Sequence, residues 1–169
     1  MDKPTVYLDT NIISAYWYEG NDIAAAARRF HTRDWWKRER RHFSVFVSIT
    51  TLTELQAGSF RRQSAFVKMA TALPRLAMTR KVKHVLDEVL KSHLLPDTKP
   101  GDALQMAVSV GHEVDYLLTW NYAHLANPVA QERLGALCQN LGLSAPLLVS
   151  PETIPQVRFG QDIRRRSSP

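Results

Sequence analysis

TVYLDTNII (residues 5–13) changes its hydrophobic period at Asp9. The run from Thr5 to Leu8 is short, apolar and β-prone, which is typical of a buried strand. From Ile12 to Tyr16 the apolar residues recur instead at helical spacing. The stretch therefore predicts a strand that ends at Asp9 and leads directly into a helix.

The rest of the chain repeats this alternation of strands and helices. We expect further strands at His42–Ile49, Leu76–Met78, Tyr116–Trp120 and Leu147–Val149. Helices are expected over residues 22–41, 50–58, 61–73, 79–93, 102–110 and 128–141, with a turn-rich loop at residues 96–101. Strands that alternate with helices predict a mostly parallel sheet covered on both faces, which is a three-layer α/β/α sandwich.

Length and composition are those of an ordinary globular domain. The chain has 169 residues, of which 44% are hydrophobic and 22% charged, and these values exclude a collagen-like or wholly disordered chain. No uncharged stretch is long enough to span a bilayer, and the N-terminus lacks the apolar core of a signal peptide. We therefore expect a cytoplasmic protein with no membrane partner. Its folded domain should cover residues 1–155, followed by a basic, disordered tail at residues 156–169.

The formal net charge of +6 predicts attraction to polyanions. Much of the positive charge falls in one helical segment that contains Arg28, Arg29, Arg33, Lys37, Arg38, Arg40 and Arg41. A solvated helix face explains such a segment as well as nucleic-acid contact does. Basicity therefore supports a nucleic-acid partner without establishing one.

Four polar residues are predicted to meet at one edge of the sheet. Asp9 ends the first strand, and Glu54 lies in the first turn of the helix after the second strand. Asp102 opens the helix that leads into the Tyr116 strand, and Asn121 follows that strand. In right-handed βαβ units the strand C-termini and the helix N-termini share one rim, so all four belong to the same rim.

Three carboxylates on one rim indicate a divalent cation. They would repel one another, and a hard cation bound among them relieves this repulsion. The chain has one cysteine and no His-x-x-x-His pair, which excludes the usual zinc motifs and favours Mg²⁺ or Mn²⁺. Such ions generate hydroxide and neutralise developing charge in phosphodiester hydrolysis.

Each acid also has a structural explanation. Asp9 and Asp102 could cap the helices that follow them, and Thr51 and Glu54 have the spacing of a capping box. Taken singly, capping is the better interpretation of each residue. The placement of all three acids on one rim by separate segments favours a shared site.

Four segments resemble, in order, the signature of VapC-type PIN domains: Val6–Asn11, Thr53–Leu55, Gly101–Leu104 and Asp115–Asn121. The resemblance extends from Val6 to about Pro151 and implies a PIN-like α/β/α fold. It also implies an endoribonuclease that uses Mg²⁺ or Mn²⁺, forms a homodimer and is neutralised by a cognate antitoxin protein.

The resemblance assigns roles to individual residues. Asp9, Glu54 and Asp102 would be the catalytic, metal-binding acids, with Asn11 and Thr119 ordering the site. Asn121 would be a weak metal ligand, with a second ion as its candidate partner. We further expect basic residues to guide RNA to the rim, with Arg38, Arg41, Arg61 and Arg62 as the candidates.

Two positions depart from the family pattern. Many PIN domains have a fourth acid where this chain has Asn121, which offers an oxygen without charge and puts a second metal in doubt. Gln105 stands where relatives often have histidine, and we expect this difference to matter little. Asn121 motivates an alternative, a PIN-like RNA-binding module with weakened catalysis. A phosphatase that uses Asp9 as nucleophile is less favoured, because the second aspartate that would act as its general acid is missing.

Overall fold

The computed structural model describes residues 3–59, 61–94 and 100–154. Within these residues one sheet contains five strands: β1 (Thr5–Leu8), β2 (Ser44–Ser48), β3 (Arg75–Leu76), β4 (Tyr116–Leu118) and β5 (Leu147–Val149). Their spatial order is β3-β2-β1-β4-β5, and every neighbouring pair is parallel. The predicted parallel sheet is confirmed.

Seven α-helices connect and cover the strands in the described residues. They are α1 (Thr10–Trp17), α2 (Ile23–Arg38), α3 (Ile49–Ala57), α4 (Gln63–Thr71), α5 (Arg80–Lys91), α6 (Pro100–Gly111) and α7 (Pro128–Leu141), with a 3₁₀ turn at Arg40–His42. Each helix expected from the sequence is present. Because α1 to α4 pack on one face of the sheet and α5 to α7 on the other, the three-layer α/β/α sandwich is confirmed.

Some predicted boundaries are wrong by a few residues. The third strand lies at Arg75–Leu76 instead of Leu76–Met78, because its register is set by pairing with Val47 and Ser48 at the end of β2. The loop expected to reach Gly101 gives way to α6 at Pro100. Proline suits the first turn of a helix, where no amide hydrogen is needed. The other positions of that predicted loop, 96–99, lie outside the described residues.

Successive side chains along each strand pack alternately into the two halves of the core. Val6 and Leu8 pack with α1 to α4, whereas Tyr7 between them packs with α5 to α7. Leu117 and Leu118 divide in the same way between the two halves on β4. This period of two is what a parallel strand buried on both faces requires.

Strand β1 is the point where the order of the sheet reverses. The chain moves from β1 outward to β2 and β3 on one side, then crosses to β4 and β5 on the other. In open parallel sheets, ligands bind outside the carboxyl ends of the strands at this switch point. Asp9 follows β1 directly, so the topology places it at the expected binding crevice.

Asp115 lies at the opposite end of the sheet, where the strands begin, and it joins β1 to β4. Its carboxylate accepts hydrogen bonds from the backbone amide and the hydroxyl of Thr5, at 2.7 and 2.8 Å. These contacts join the starts of β1 and β4, so Asp115 has a structural role.

Among the described residues, no helix is both long and apolar enough to cross a membrane. The tail predicted at residues 156–169 lies outside the described part of the chain.

Candidate metal centre

Asp9 is buried at the junction of β1 and α1, with 6% of its surface exposed. Its Oδ2 accepts hydrogen bonds from Nδ2 of Asn11 at 2.7 Å and from Oγ1 of Thr119 at 2.6 Å. It is also the N-cap of α1, through a long 3.5 Å contact with the backbone amide of Asn11. Capping and site formation are therefore compatible at this residue, and its stronger contacts serve the site.

Asn11 and Thr119 form a bridge between the ends of β1 and β4. The Asn11 side-chain oxygen accepts a hydrogen bond from the backbone amide of Trp120 at 3.0 Å, which fixes the orientation of the amide group. The Thr119 hydroxyl is 3.0 Å from both Asn11 Nδ2 and the Asn121 amide nitrogen. The structure thus brings both predicted supporting residues into contact with Asp9.

The pKa of Asp9 reports the neighbourhood of the three acids. The pKa of Asp9 is raised from 3.8 to about 6, mainly by burial; hydrogen bonds from Thr119 and Asn11 lower it, and the charges of Glu54 and Asp102 contribute to the rise. Loss of solvent and like charge both disfavour the carboxylate. This end of the sheet therefore favours a bound positive charge.

Glu54 is half-buried in the second turn of α3, not in the first turn as predicted. The helix begins at Ile49, immediately after β2, with Ser48 as its N-cap and the Thr51 backbone amide as the donor at 3.3 Å. The predicted capping box of Thr51 with Glu54 is consequently wrong. Because β2 passes into α3 without a loop, the N-cap is Ser48. The Glu54 side chain therefore does not cap the helix.

Two residues hold Glu54 toward the other acids. The Thr10 hydroxyl donates a hydrogen bond to Glu54 Oε2, and Gly101 approaches from α6. A Cβ atom at Gly101 would lie 3.4 Å from Glu54 Oε1, so a larger side chain would crowd the carboxylate. Sequence analysis included Thr10 and Gly101 in its motifs but assigned no role to either.

Asp102 is the third residue of α6 and does not open the helix as predicted. Its Oδ1 accepts a hydrogen bond from Nδ2 of Asn121 at 3.1 Å, and its Oδ2 lies 2.7 Å from Nδ1 of His124. Sequence analysis assigned no basic partner to the acids, yet His124 is one when protonated. Its position three residues after Asn121 could have been noticed, but only the turn geometry brings the ring to Asp102.

Asn121 is oriented by both of its neighbours. Its side-chain nitrogen donates to Asp102, and its side-chain oxygen accepts from the backbone amide of His124 at 3.1 Å. In this arrangement Asn121 holds Asp102 and the following turn, and its oxygen is already engaged. Its predicted role as a weak metal ligand remains a prediction that would require the side chain to reorient.

The donor set fits a hard divalent cation. Asp9, Glu54 and Asp102 supply carboxylate oxygens, and beside the larger effect of burial, the charges of Glu54 and Asp102 raise the pKa of Asp9. Within the described ranges, no three or more histidine, cysteine, aspartate or glutamate side chains are arranged so that they could hold a metal ion. Magnesium sites commonly use one or two carboxylates together with waters and substrate phosphate, so a closed cage is not required.

The structure does not bring Arg38 and Arg41 to this rim. Ser44 at the start of β2 donates to the carbonyl of Pro4, so the residues just before it lie at the N-terminal edge of the sheet. Arg38 pairs there with Asp34 at 3.0 Å, and Arg41 contacts His42. Their predicted role in guiding RNA remains a prediction, since residue spacing does not reveal which end of α2 faces the acids.

Other arginines lie closer to α1. Arg28, near the start of α2, is exposed and lines a pocket of about 180 Å³ together with Asn11 and Trp120. Arg61 and Arg62 line a separate pocket of about 380 Å³ beside the end of α1, and Arg62 pairs with Glu19 at 2.9 Å. Arg28 is thus the basic side chain that shares a pocket with a residue of the site.

Comparison with known proteins identifies relatives of this arrangement. The family model described as PIN domain matches residues 5–123, whereas no curated protein matches. A chain from the crystal structure of VapBC2 of Rickettsia felis, bound to a DNA fragment from their promoter, has a TM-score of 0.56 and 15% identity, covering 86% of this chain and 98% of that chain. Mycobacterium tuberculosis VapC20, described as a Sarcin-Ricin loop cleaving toxin, has a TM-score of 0.50 and 18% identity, covering 70% and 88%.

Proposed function

The chain belongs to the PIN-domain family, and from this premise we propose that it is a divalent-metal-dependent endoribonuclease that uses Mg²⁺ or Mn²⁺. Asp9, Glu54 and Asp102 are its proposed catalytic acids. The nuclease domain is assigned to residues 1–155. At low sequence identity, the fold shared with VapBC2 and VapC20 supports a toxin of the VapBC type as its biological role.

The observation that supports the proposal is that acids from three separate segments lie close enough for the charges of Glu54 and Asp102 to act on Asp9. Asp9 follows β1, Glu54 lies on α3 and Asp102 lies on α6. Burial, and with it the charges of Glu54 and Asp102, raises the pKa of Asp9, so the ionised site is costly for a protein without a bound cation. A hard cation offsets this repulsion, and a phosphodiester is the substrate class for which such a site is suited.

The surrounding residues orient the acids and receive the substrate. When bound, the cation supplies an activated water and neutralises charge on the scissile phosphate. Asn11 and Thr119 hold Asp9, Thr10 holds Glu54, and Asn121 holds Asp102. The N-terminus of α6 lies beside Glu54 and adds positive potential suited to a phosphate.

Charge balance favours one cation in the free protein. Three carboxylates more than neutralise one divalent ion, whereas two ions would leave the site net positive until a phosphate arrives. Asn121 adds no charge, so a second ion would enter with the RNA. The remaining proposed partners are a cognate antitoxin protein and a second copy of the chain in a homodimer.

Cleavage of RNA by the purified protein tests the proposal. We expect hydrolysis that requires Mn²⁺ or Mg²⁺, stops with a chelator, and falls by at least about 100-fold in Asp9→Asn, since removal of a residue that stabilises the transition state has this magnitude. Asp87→Asn is the matched control, because it makes the same change at an exposed position of α5. Equal activity of the wild type and Asp9→Asn would refute the proposed site.

The alternative, an RNA-binding module with weakened catalysis, is motivated by the neutral Asn121. It predicts metal-independent RNA binding and no cleavage by the wild-type protein. The same assay therefore separates the two functions, since cleavage that is lost in Asp9→Asn excludes the binding module.

A further inference from the structure

The hydroxyl of Tyr7 is a buried polar group that the proposed mechanism does not use. Its oxygen lies 2.8 Å from Oγ of Ser48, and it donates a hydrogen bond to Oε1 of Gln105. The exposed fractions of Tyr7, Ser48 and Gln105 are 0%, 1% and 2%. Water cannot replace these contacts, so the three side chains depend on one another for hydrogen bonding.

Each member of this network belongs to a segment that carries one of the acids. Tyr7 lies on β1, and Asp9 follows the end of this strand directly. Ser48 is the N-cap of α3, which carries Glu54. Gln105 follows Asp102 by three residues on α6, so the two side chains lie on the same face of the helix.

We propose that Tyr7 is a positioning residue for the candidate metal centre, whose hydroxyl fixes the spacing of the three acids by joining β1 to α3 and α6. The inference rests on the proposed function, because the spacing of the acids matters only if they bind a cation. Apolar packing could hold the same elements together. A hydrogen-bonded junction additionally fixes their rotation and translation, because its contacts are directional.

Tyr7→Phe tests the role of the hydroxyl, because it leaves the ring in place. Tyr116→Phe is the matched control: Tyr116 is also fully buried in the sheet, on the neighbouring strand β4, but packs with the opposite half of the core. Binding of Mn²⁺ to the metal-free full-length protein is measured by calorimetry, together with thermal unfolding. We expect about 10-fold weaker Mn²⁺ binding in Tyr7→Phe, as for other residues that orient metal ligands, and unchanged affinity in Tyr116→Phe.

A second variant keeps the test open if Tyr7→Phe fails to fold. Gln105→Leu removes the acceptor on α6 and should also weaken Mn²⁺ binding. Where all variants fold, the double variant should lose little more affinity than Tyr7→Phe alone, because both changes break the same junction. A purely structural role would lower the melting temperature of these variants and leave the Mn²⁺ affinity unchanged.

The outcomes separate this inference from the function on which it rests. Wild-type Mn²⁺ affinity in the folded Tyr7→Phe or Gln105→Leu variant would overturn the positioning role and leave the proposed nuclease intact. A wild-type protein that neither binds Mn²⁺ nor cleaves RNA would overturn both. Weaker Mn²⁺ binding in Tyr7→Phe than in Tyr116→Phe supports the inference.

Discussion

Asp9 carries its negative charge at a deeply buried position. Such an arrangement lowers the stability of the folded protein. Two side-chain donors satisfy its Oδ2, but neither of them is a cation. Burial and the neighbouring acids therefore leave its pKa raised to about 6. Burial of this charge should therefore lower the free energy of unfolding of the metal-free protein.

Asp9→Asn should stabilise the metal-free protein at neutral pH. Because the folded state holds the Asp9 proton more tightly than the unfolded chain does, the stability linked to this group is complete below pH 3.8 and is lost as pH rises through about 6. Asparagine has no proton to lose. At pH 7.5 the variant should therefore gain up to ~3 kcal/mol, since each pKa unit corresponds to about 1.4 kcal/mol.

Urea unfolding with a chelator, at pH 4.5 and at pH 7.5, measures this gain. The advantage of Asp9→Asn should be larger at pH 7.5, and saturating Mg²⁺ should reduce it by stabilising the wild type. The Asp87→Asn control should show neither effect. A stability difference that is the same at both pH values would contradict the assignment of the strain to ionised Asp9.

At the scale of single residues, sequence reasoning named the acids and their partners Asn11 and Thr119, but it assigned no role to His124. Topology alone places Asp9, Glu54 and Asp102 on one rim, because the carboxyl ends of parallel strands meet there. The contact of His124 with Asp102 depends on the turn after β4 and on side-chain rotamers. Neither is encoded in residue spacing, so this contact could not be predicted.

At the scale of elements, the direction in which α2 runs decides which of its arginines can lie near the acids. The helix runs from the rim, where Arg28 shares a pocket with Asn11, to the far edge, where Arg38 pairs with Asp34. Helical periodicity predicted that α2 exists but not which arginines it presents to the acids. Helix starts were displaced for a similar reason: Ser48 caps α3 because β2 ends there, which depends on its pairing with β1 and β3.

Arg28→Gln should weaken RNA binding more than Arg38→Gln does. Each phosphate contact releases counterions, so the loss of one contact reduces the slope of log affinity against log salt by about 0.7 for single-stranded RNA. Both arginines are exposed and basic, which makes Arg38 a matched control. Fluorescence anisotropy across a salt series, with Asp9→Asn protein to prevent cleavage, gives the slopes. Equal slopes for the two variants would contradict a role for Arg28 at the rim.

At the scale of the whole molecule, the core extends to the end of the described residues. Ile154 is fully buried in the half of the core that contains α1 to α4. The folded domain therefore includes Ile154, and its end at residue 155, before the arginine-rich residues 156–169, stays a prediction. The composition could predict such a change in character, whereas the contribution of Ile154 depends on its packing and was not foreseen.

Deletion of residues 156–169 should separate folding from RNA affinity. The deleted segment contains four arginines and one aspartate, which amount to +3 of the net charge of +6. Its loss should leave the free energy of unfolding within ~0.5 kcal/mol of the wild type, as for changes outside the core. RNA affinity should fall at low salt, with a salt slope that is lower by about 2.

Ile154→Ala provides the contrast, because truncation of a buried isoleucine costs about 2–5 kcal/mol. Urea unfolding and RNA anisotropy on the two proteins should thus give opposite patterns. The deletion should weaken RNA binding and leave the stability unchanged. The substitution should lower the stability and leave the salt slope unchanged, since it removes no charge. A deletion that destabilises the protein as much as Ile154→Ala does would mean that residues beyond 155 belong to the folded domain, and the proposed boundary would have to move toward the C-terminus.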